Sequence, residues 1–104
     1  MLNFFKKNKS YKLHAVVSGN SINIEKVNDS VFSKKLMGDG VAIIPTNGNL
    51  YAPCDSEVVM LFETKHAIGL RTKNGAEILI HIGINTVSMN GDGFKTFVKT
   101  GDNV

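Results

Sequence analysis

One cysteine among 104 residues leaves no internal disulfide to be made, and no Cys-x-x-Cys pair or Cys/His cluster offers a structural metal site of the usual spacing. That usage predicts a reducing cytosol as the compartment. No apolar run approaches the roughly 20 residues that a membrane-spanning helix needs. Met1, Leu2, Phe4 and Phe5 precede the first lysines, the reverse of the order in a secretory signal. Helical periodicity is missing too: no stretch of eleven or more residues repeats its apolar positions at helical spacing. Beyond residue 12 there is no charge block, linker or low-complexity tract, and the length suits a single domain.

The formal net charge is +3, which invites a nucleic-acid reading that its distribution removes. Lys6, Lys7, Lys9 and Lys12 fall in the first twelve residues with no acid among them, so the rest of the chain carries eight basic against nine acidic side chains. A near-neutral body lacks the basic face that grips phosphates, and no nucleic-acid partner is expected. Residues 1–12 form a basic, Phe-containing tail. It reads as a solvated start, or as an amphipathic segment in contact with an anionic membrane surface. Residues 13–104 form the domain.

What is present is a series of short apolar stretches, His14 to Val17, Ser21 to Ile24, Val41 to Ile44, Val58 to Phe62, Ala67 to Leu70 and Ile78 to Ile84. Between them lie Ser18-Gly19-Asn20, Gly38-Asp39-Gly40, Thr46-Asn47-Gly48-Asn49, Lys73-Asn74-Gly75 and Asn90-Gly91-Asp92-Gly93. Short strands punctuated by turn chemistry predict an all-β, antiparallel domain. Ser30 to Met37 reads as a helical turn.

Asn74-Gly75 between two apolar runs is a strong hairpin signal and predicts a two-residue type I′ loop. With Lys73 opposite Ala76, His66 falls across from Gly83 and Ile68 across from His81. All four then share one face, and His66 and His81 become diagonal neighbours about 7–8 Å apart at the backbone, beside the space left by Gly83. The other face carries Ile78, Ile80, Ile82 and Ile84, a stripe that asks for burial and turns His81 away from it.

Three chemistries use such a histidine pair. Metal ligation needs a third protein ligand; His66 and His81 could form a zinc pair, but no third ligand is evident in the spacing. Acid–base hydrolysis needs a nucleophile or paired carboxylate for which there is no spacing signal. Phosphoryl transfer needs less: one imidazole, neutral near pH 7, attacks phosphorus, and the other hydrogen-bonds the phosphoryl oxygens. The residues themselves do not say which histidine is the nucleophile. His14, alone near the tail, reads as an ordinary surface residue.

Gly38-Asp39-Gly40-Val41-Ala42-Ile43, Ala52-Pro53, Thr64-Lys65-His66-Ala67, His81-Ile82-Gly83-Ile84-Asn85-Thr86-Val87 and Asn90-Gly91-Asp92-Gly93-Phe94 occur in this order. In order and spacing they resemble the glucose-type enzyme IIA domain of the bacterial phosphoenolpyruvate-dependent sugar phosphotransferase system, from about Ser18 onward. The resemblance implies a cytoplasmic phosphocarrier with an antiparallel β-sandwich or barrel of the duplicated-hybrid-motif type and no cofactor. It would take a phosphoryl group from the carrier protein HPr and pass it to a cysteine of enzyme IIB of a sugar permease. On this resemblance His81 is the phosphorylated nucleophile, His66 stabilises the phosphoryl group, and Thr64 orients the histidines. Asp39 lines the site and faces arginines of the partners. Val41, Ile43, Phe62, Ile68 and Phe94 are candidates for an apolar docking ring, although by sequence alone each suits a core. The change of charge on phosphorylation would let regulatory protein targets tell the two forms apart.

Two departures stand out. Asn85 occupies a position where many relatives carry aspartate, and Cys54 stands where an aliphatic residue is usual and reads as a packed thiol. Thr100-Gly101-Asp102-Asn103-Val104 looks like a turn entering another strand, so the C-terminal strands of the family are expected to be missing, with exposed edges and an uncovered Ile78–Ile84 face as the consequence. A transfer-deficient regulatory module of the same fold is the alternative to the carrier.

Overall fold

Among the described residues, five-residue strands separated by Asn, Gly and Asp turns assemble into two antiparallel sheets. The computed structural model describes residues 12–83 and 93–104. Residues 1–11 of the basic tail, Ile84, Asn85 and the Asn90-Gly91-Asp92 turn lie outside the described residues.

The first sheet pairs β1 (Gly19–Asn23) with β2 (Val41–Pro45), in a register that runs from Gly19 opposite Pro45 to Asn23 opposite Val41. Gly19 is required by close approach: a Cβ there would run into the Ile44 carbonyl oxygen and lie 2.8 Å from the Pro45 Cα. Two capped turns join the strands. Asn23 accepts the Glu25 amide at 2.9 Å and opens a short 3₁₀ turn, Ile24–Lys26, so Ile24 leaves the strand expected to contain it. Asp29 caps α1 (Ser30–Ser33) by accepting the Val31 amide at 2.9 Å, inside the stretch expected to form a helical turn. Lys35, in a left-handed conformation at φ +58°, ends the turn, and its ammonium reaches Glu25 at 3.6 Å and Asp39 at 3.5 Å.

Residues 14–17, expected as a strand, form none; the His14 amide nonetheless bonds the Pro53 carbonyl and the Tyr51 amide bonds the Val16 carbonyl, each at 2.8 Å.

The second sheet has the order β3-β4-β5, with β3 at Glu57–Leu61, β4 at Ala67–Arg71 and β5 at Glu77–His81. A β-bulge between Val58 and Met60 shifts the β3–β4 register by one. Along the outer edge of β3 run the last residues, as the turn signal at Thr100–Val104 anticipates. Gly101 (φ +97°) turns the chain, Asn103 bridges Glu57, and Ser56 and Val104 exchange both backbone bonds, at 3.2 and 2.9 Å. Val58, Ala67 and Leu70 form the buried apolar core among the described residues. The stripe that asked for burial is less covered, with Ile78, Ile80 and Ile82 half-buried, while Leu79, on the opposite face of β5, is 37% exposed.

The β4–β5 hairpin corrects the expected register. Ala67, not Ile68, lies opposite His81, and Arg71 opposite Glu77. The loop holds three residues, Lys73, Asn74 and Gly75, closed by Thr72 opposite Ala76. A type I′ turn needs positive φ at both central residues, yet here Gly75 takes φ +89° and Asn74 stays out of the left-handed region. The Gly75 amide bonds the Thr72 carbonyl at 3.0 Å, giving a type I turn followed by a glycine bulge. Buried Thr72 favours this form, because its hydroxyl meets the Asn74 side chain and accepts the Ala76 amide at 3.0 Å.

Candidate functional site

A one-residue slip puts His66 and His81 on opposite pleat faces by the alternation rule, yet their rings meet, with centroids 5.1 Å apart and planes at 82°. The two residues sit at the end of the ladder, whose last bond runs from the Ile82 amide to the His66 carbonyl at 2.7 Å. His66 precedes β4, and His81 is the last residue of β5. There the pleat no longer dictates side-chain direction, and local polar partners take over.

For His66 that partner is Thr64. Residues 62–67 form a tight loop in which the Lys65 amide bonds the Phe62 carbonyl at 2.8 Å and Lys65 adopts φ +61°. The turn returns the chain so that the Thr64 hydroxyl meets His66 Nδ1. His66 is only 7% exposed, and the edge of its ring meets Phe62 at 5.4 Å between centroids.

For His81 the partner is a backbone carbonyl. Gly83, at φ +76°, bends the chain just after β5, and its oxygen lies 2.7 Å from His81 Nδ1. A carbonyl oxygen can only accept, so Nδ1 must donate. In the neutral ring the lone pair then resides on Nε2. This is the state of a nitrogen nucleophile with one nitrogen committed and the other free. On its other side the His81 ring packs against Phe32 of α1, with centroids 4.9 Å apart and a tilt of 53°. Phe62, His66, His81 and Phe32 thus form a continuous chain of rings. Each aromatic contact of this type contributes about 0.5–1.5 kcal/mol beyond its buried area.

The remaining predicted site residues come from several elements, and Phe62 among them touches His66. Asp39 sits in the loop before β2, where it accepts the Gly40 amide at 2.8 Å and pairs with Lys35. Val41 is 64% exposed and Phe62 37%, which removes both from the core that sequence alone suggested for them. Ile43, Ile68 and Phe94 are half-buried, and Asn85 lies outside the described residues. Among the described residues no group of three His, Cys, Asp or Glu side chains could hold a metal ion, so His66 and His81 find no third ligand there. Cys54 is a half-buried free thiol in a separate depression with Lys12, His14, Asp55 and Lys73. Sequence reasoning missed Phe32. It lies 49 residues from His81 on a different element, and no local spacing links the two.

Comparison with known proteins places these features in a family. The family model described as phosphoenolpyruvate-dependent sugar phosphotransferase system, EIIA 1, matches residues 11–104. The glucose-specific EIIA component of Borreliella burgdorferi is 48% identical over 103 residues, covering 99% of this chain and 54% of the relative. That of Bacillus cereus is 54% identical over 90 residues, covering 86% of this chain and 54% of the relative. A glucoside-specific EIICBA component of Staphylococcus carnosus is 49% identical over 92 residues, covering 88% of this chain and 13% of the relative. Among solved structures, glucose permease IIA from Mycoplasma capricolum superimposes with a TM-score of 0.90 at 44% identity, covering 99% of this chain and 66% of that one. The two sheets thus belong to the expected antiparallel β-sandwich. The chain spans about half the length of the stand-alone curated relatives it matches.

Proposed function

The chain belongs to the EIIA type 1 family of the phosphoenolpyruvate-dependent sugar phosphotransferase system, and from that premise we propose that it is a cytoplasmic phosphocarrier in which His81 accepts and donates the phosphoryl group. The observation that carries this reading is the donation from His81 Nδ1 to the Gly83 carbonyl, which leaves Nε2 free beside the perpendicular ring of His66.

In the forward step, His81 Nε2 attacks the phosphorus of phosphohistidine on HPr. The new N–P bond forms as the donor N–P bond breaks, and that electron pair returns to the donor imidazole. His66 supports the transfer when the Thr64 hydroxyl donates to its Nδ1. The ring proton then resides on Nε2, where it can bond a phosphoryl oxygen. In the second step a cysteine thiolate of enzyme IIB attacks the same phosphorus, and the pair of the broken N–P bond goes back to His81 Nε2. Relatives named EIICBA join A, B and C components in one name, which favours a permease B component as acceptor. Exposed Val41 and Phe62, with Ile43, Ile68 and Phe94, would supply the apolar contact that excludes water, and Asp39 would meet a partner arginine.

The test is incubation with phosphoenolpyruvate, enzyme I and HPr, followed by intact mass. One acid-labile phosphate on the wild type, absent in His81→Gln, is expected. His66→Gln should still accept phosphate but pass it on slowly. An unlabelled wild type with active upstream components would refute the carrier role and leave a binding or regulatory role for the domain.

A further inference from the structure

We propose that Phe32 is a positioning residue for His81, a role that rests on the phosphocarrier reading: its ring, carried by α1, holds the imidazole so that Nε2 is presented for transfer. His81 is the last residue of β5, and the Ile82 amide that follows it bonds the His66 carbonyl at 2.7 Å, which fixes the backbone there but not the rotation of the His81 ring. The Gly83 carbonyl fixes one ring atom, Nδ1, at 2.7 Å. A single hydrogen bond is an axis about which the ring can still pivot, and pivoting sweeps Nε2 through space. Two further rings restrict that motion. His66 stands perpendicular at 5.1 Å and is itself fixed by burial, by Thr64 and by Phe62. Phe32 packs against His81 at 4.9 Å from α1, an element outside the sheet.

The anchor for that ring is firm despite the shortness of α1. The Phe32 and Ser33 amides both bond the Asp29 carbonyl, at 3.1 and 2.8 Å, and the Asp29 side chain takes the Val31 amide. At the other end Lys35 ties the turn to Glu25 and Asp39. The Phe32 ring is half-buried. It acts through His81, by removing orientations in which Nε2 faces away, and the gain is one of preorganised geometry.

Two readouts separate this role from partner contact. In the free protein, nitrogen-15 NMR of His81 reports which ring nitrogen holds the proton, with no partner present. The wild type should show the Nδ1–H form predominating, and Phe32→Leu should shift it toward a mixture. In transfer from phospho-HPr, Phe32→Leu should lower kcat about 2- to 10-fold, the factor that an aromatic contact sets, with KM within twofold of the wild type. Phe32→Tyr keeps the ring and should restore both readouts, and it serves where Phe32→Leu does not fold. Val31→Ala, on the same turn and exposed, should change neither.

An unchanged tautomer ratio and kcat in Phe32→Leu would overturn the proposal, as would a rise in KM alone or an equal effect of Val31→Ala. A wild type that takes no phosphate while Phe32→Leu still shifts the tautomer would sink the carrier reading and leave the positioning contact standing.

Discussion

Thr64→Val removes the hydroxyl that meets His66 Nδ1 and leaves the side-chain shape nearly unchanged. His66 is 7% exposed, so its freed nitrogen cannot turn to bulk water. An unpaired polar atom at such a site costs about 1–3 kcal/mol. For a chain of this size, with a urea slope near the low end of about 1–3 kcal/mol per molar, the unfolding midpoint should fall by about 1 M or more. The transfer rate should fall as well, because nothing then holds the His66 proton on Nε2. The ceiling is one hydrogen bond to a charged group, about 1.5–3 kcal/mol or roughly 10- to 100-fold. The loss should lie near 10-fold, since a free imidazole still populates the useful tautomer part of the time. Urea titration followed by far-ultraviolet dichroism, together with single-turnover transfer from phospho-HPr, measures both. Thr64→Ser restores the hydroxyl and should recover most of each loss. A Thr64→Val protein with wild-type midpoint and rate would refute the reasoning. Equal damage in Thr64→Ser would place the effect in packing of the methyl group.

Among the described residues, Leu70 and Val58 are the largest fully buried side chains. Leu70→Ala should therefore cost about 2–5 kcal/mol, a large share of the stability of a small domain, and a loss below about 1 kcal/mol in the same urea titration would show that the second sheet is not the core. Gly75→Ala forces a Cβ into φ +89° and should cost about 1–2 kcal/mol while retaining the cross-strand NMR contact between Ala67 and His81. Replacement of that contact by one between Ile68 and His81 would show that the loop can adopt the two-residue form instead.

Much of the fold was legible because strand and turn signals are local. The regions of β1 through β5 fall within or beside the apolar stretches, and the Ser30–Met37 segment contains α1. Where the reading failed, competition between nearby groups decided. Asn-Gly favours a two-residue loop in isolation, but Thr72 lies one residue before Lys73, and its hydroxyl engages both Asn74 and the Ala76 amide. That tilts the balance toward a three-residue loop and moves every cross-strand partner by one. Phe32 was illegible for another reason. A ring on α1 meets His81 only through the path of the whole chain, and no periodicity connects them. The donor role of His81 Nδ1 likewise depends on how Gly83 turns, at φ +76°, which sequence alone does not determine.

The histidine pair survives an error that should have separated it, and the reason bears on how the site tolerates change. Had both imidazoles stood in mid-strand, their convergence would depend on the hairpin register, and any slip would send one to the opposite face. At the ends of β4 and β5 the ring directions come instead from Thr64, Gly83, Phe62 and Phe32, each within a few ångströms of an imidazole. Apart from Thr64, whose bond to buried His66 serves both, fold stability and site geometry are therefore held by largely different residues. The core of Val58, Ala67 and Leu70 sets whether the sheet exists, and the four ring partners set where Nε2 of His81 points. Leu70→Ala should thus lower the folded fraction without changing the His81 tautomer in the molecules that remain folded, whereas Phe32→Leu should change the tautomer in a protein that stays folded.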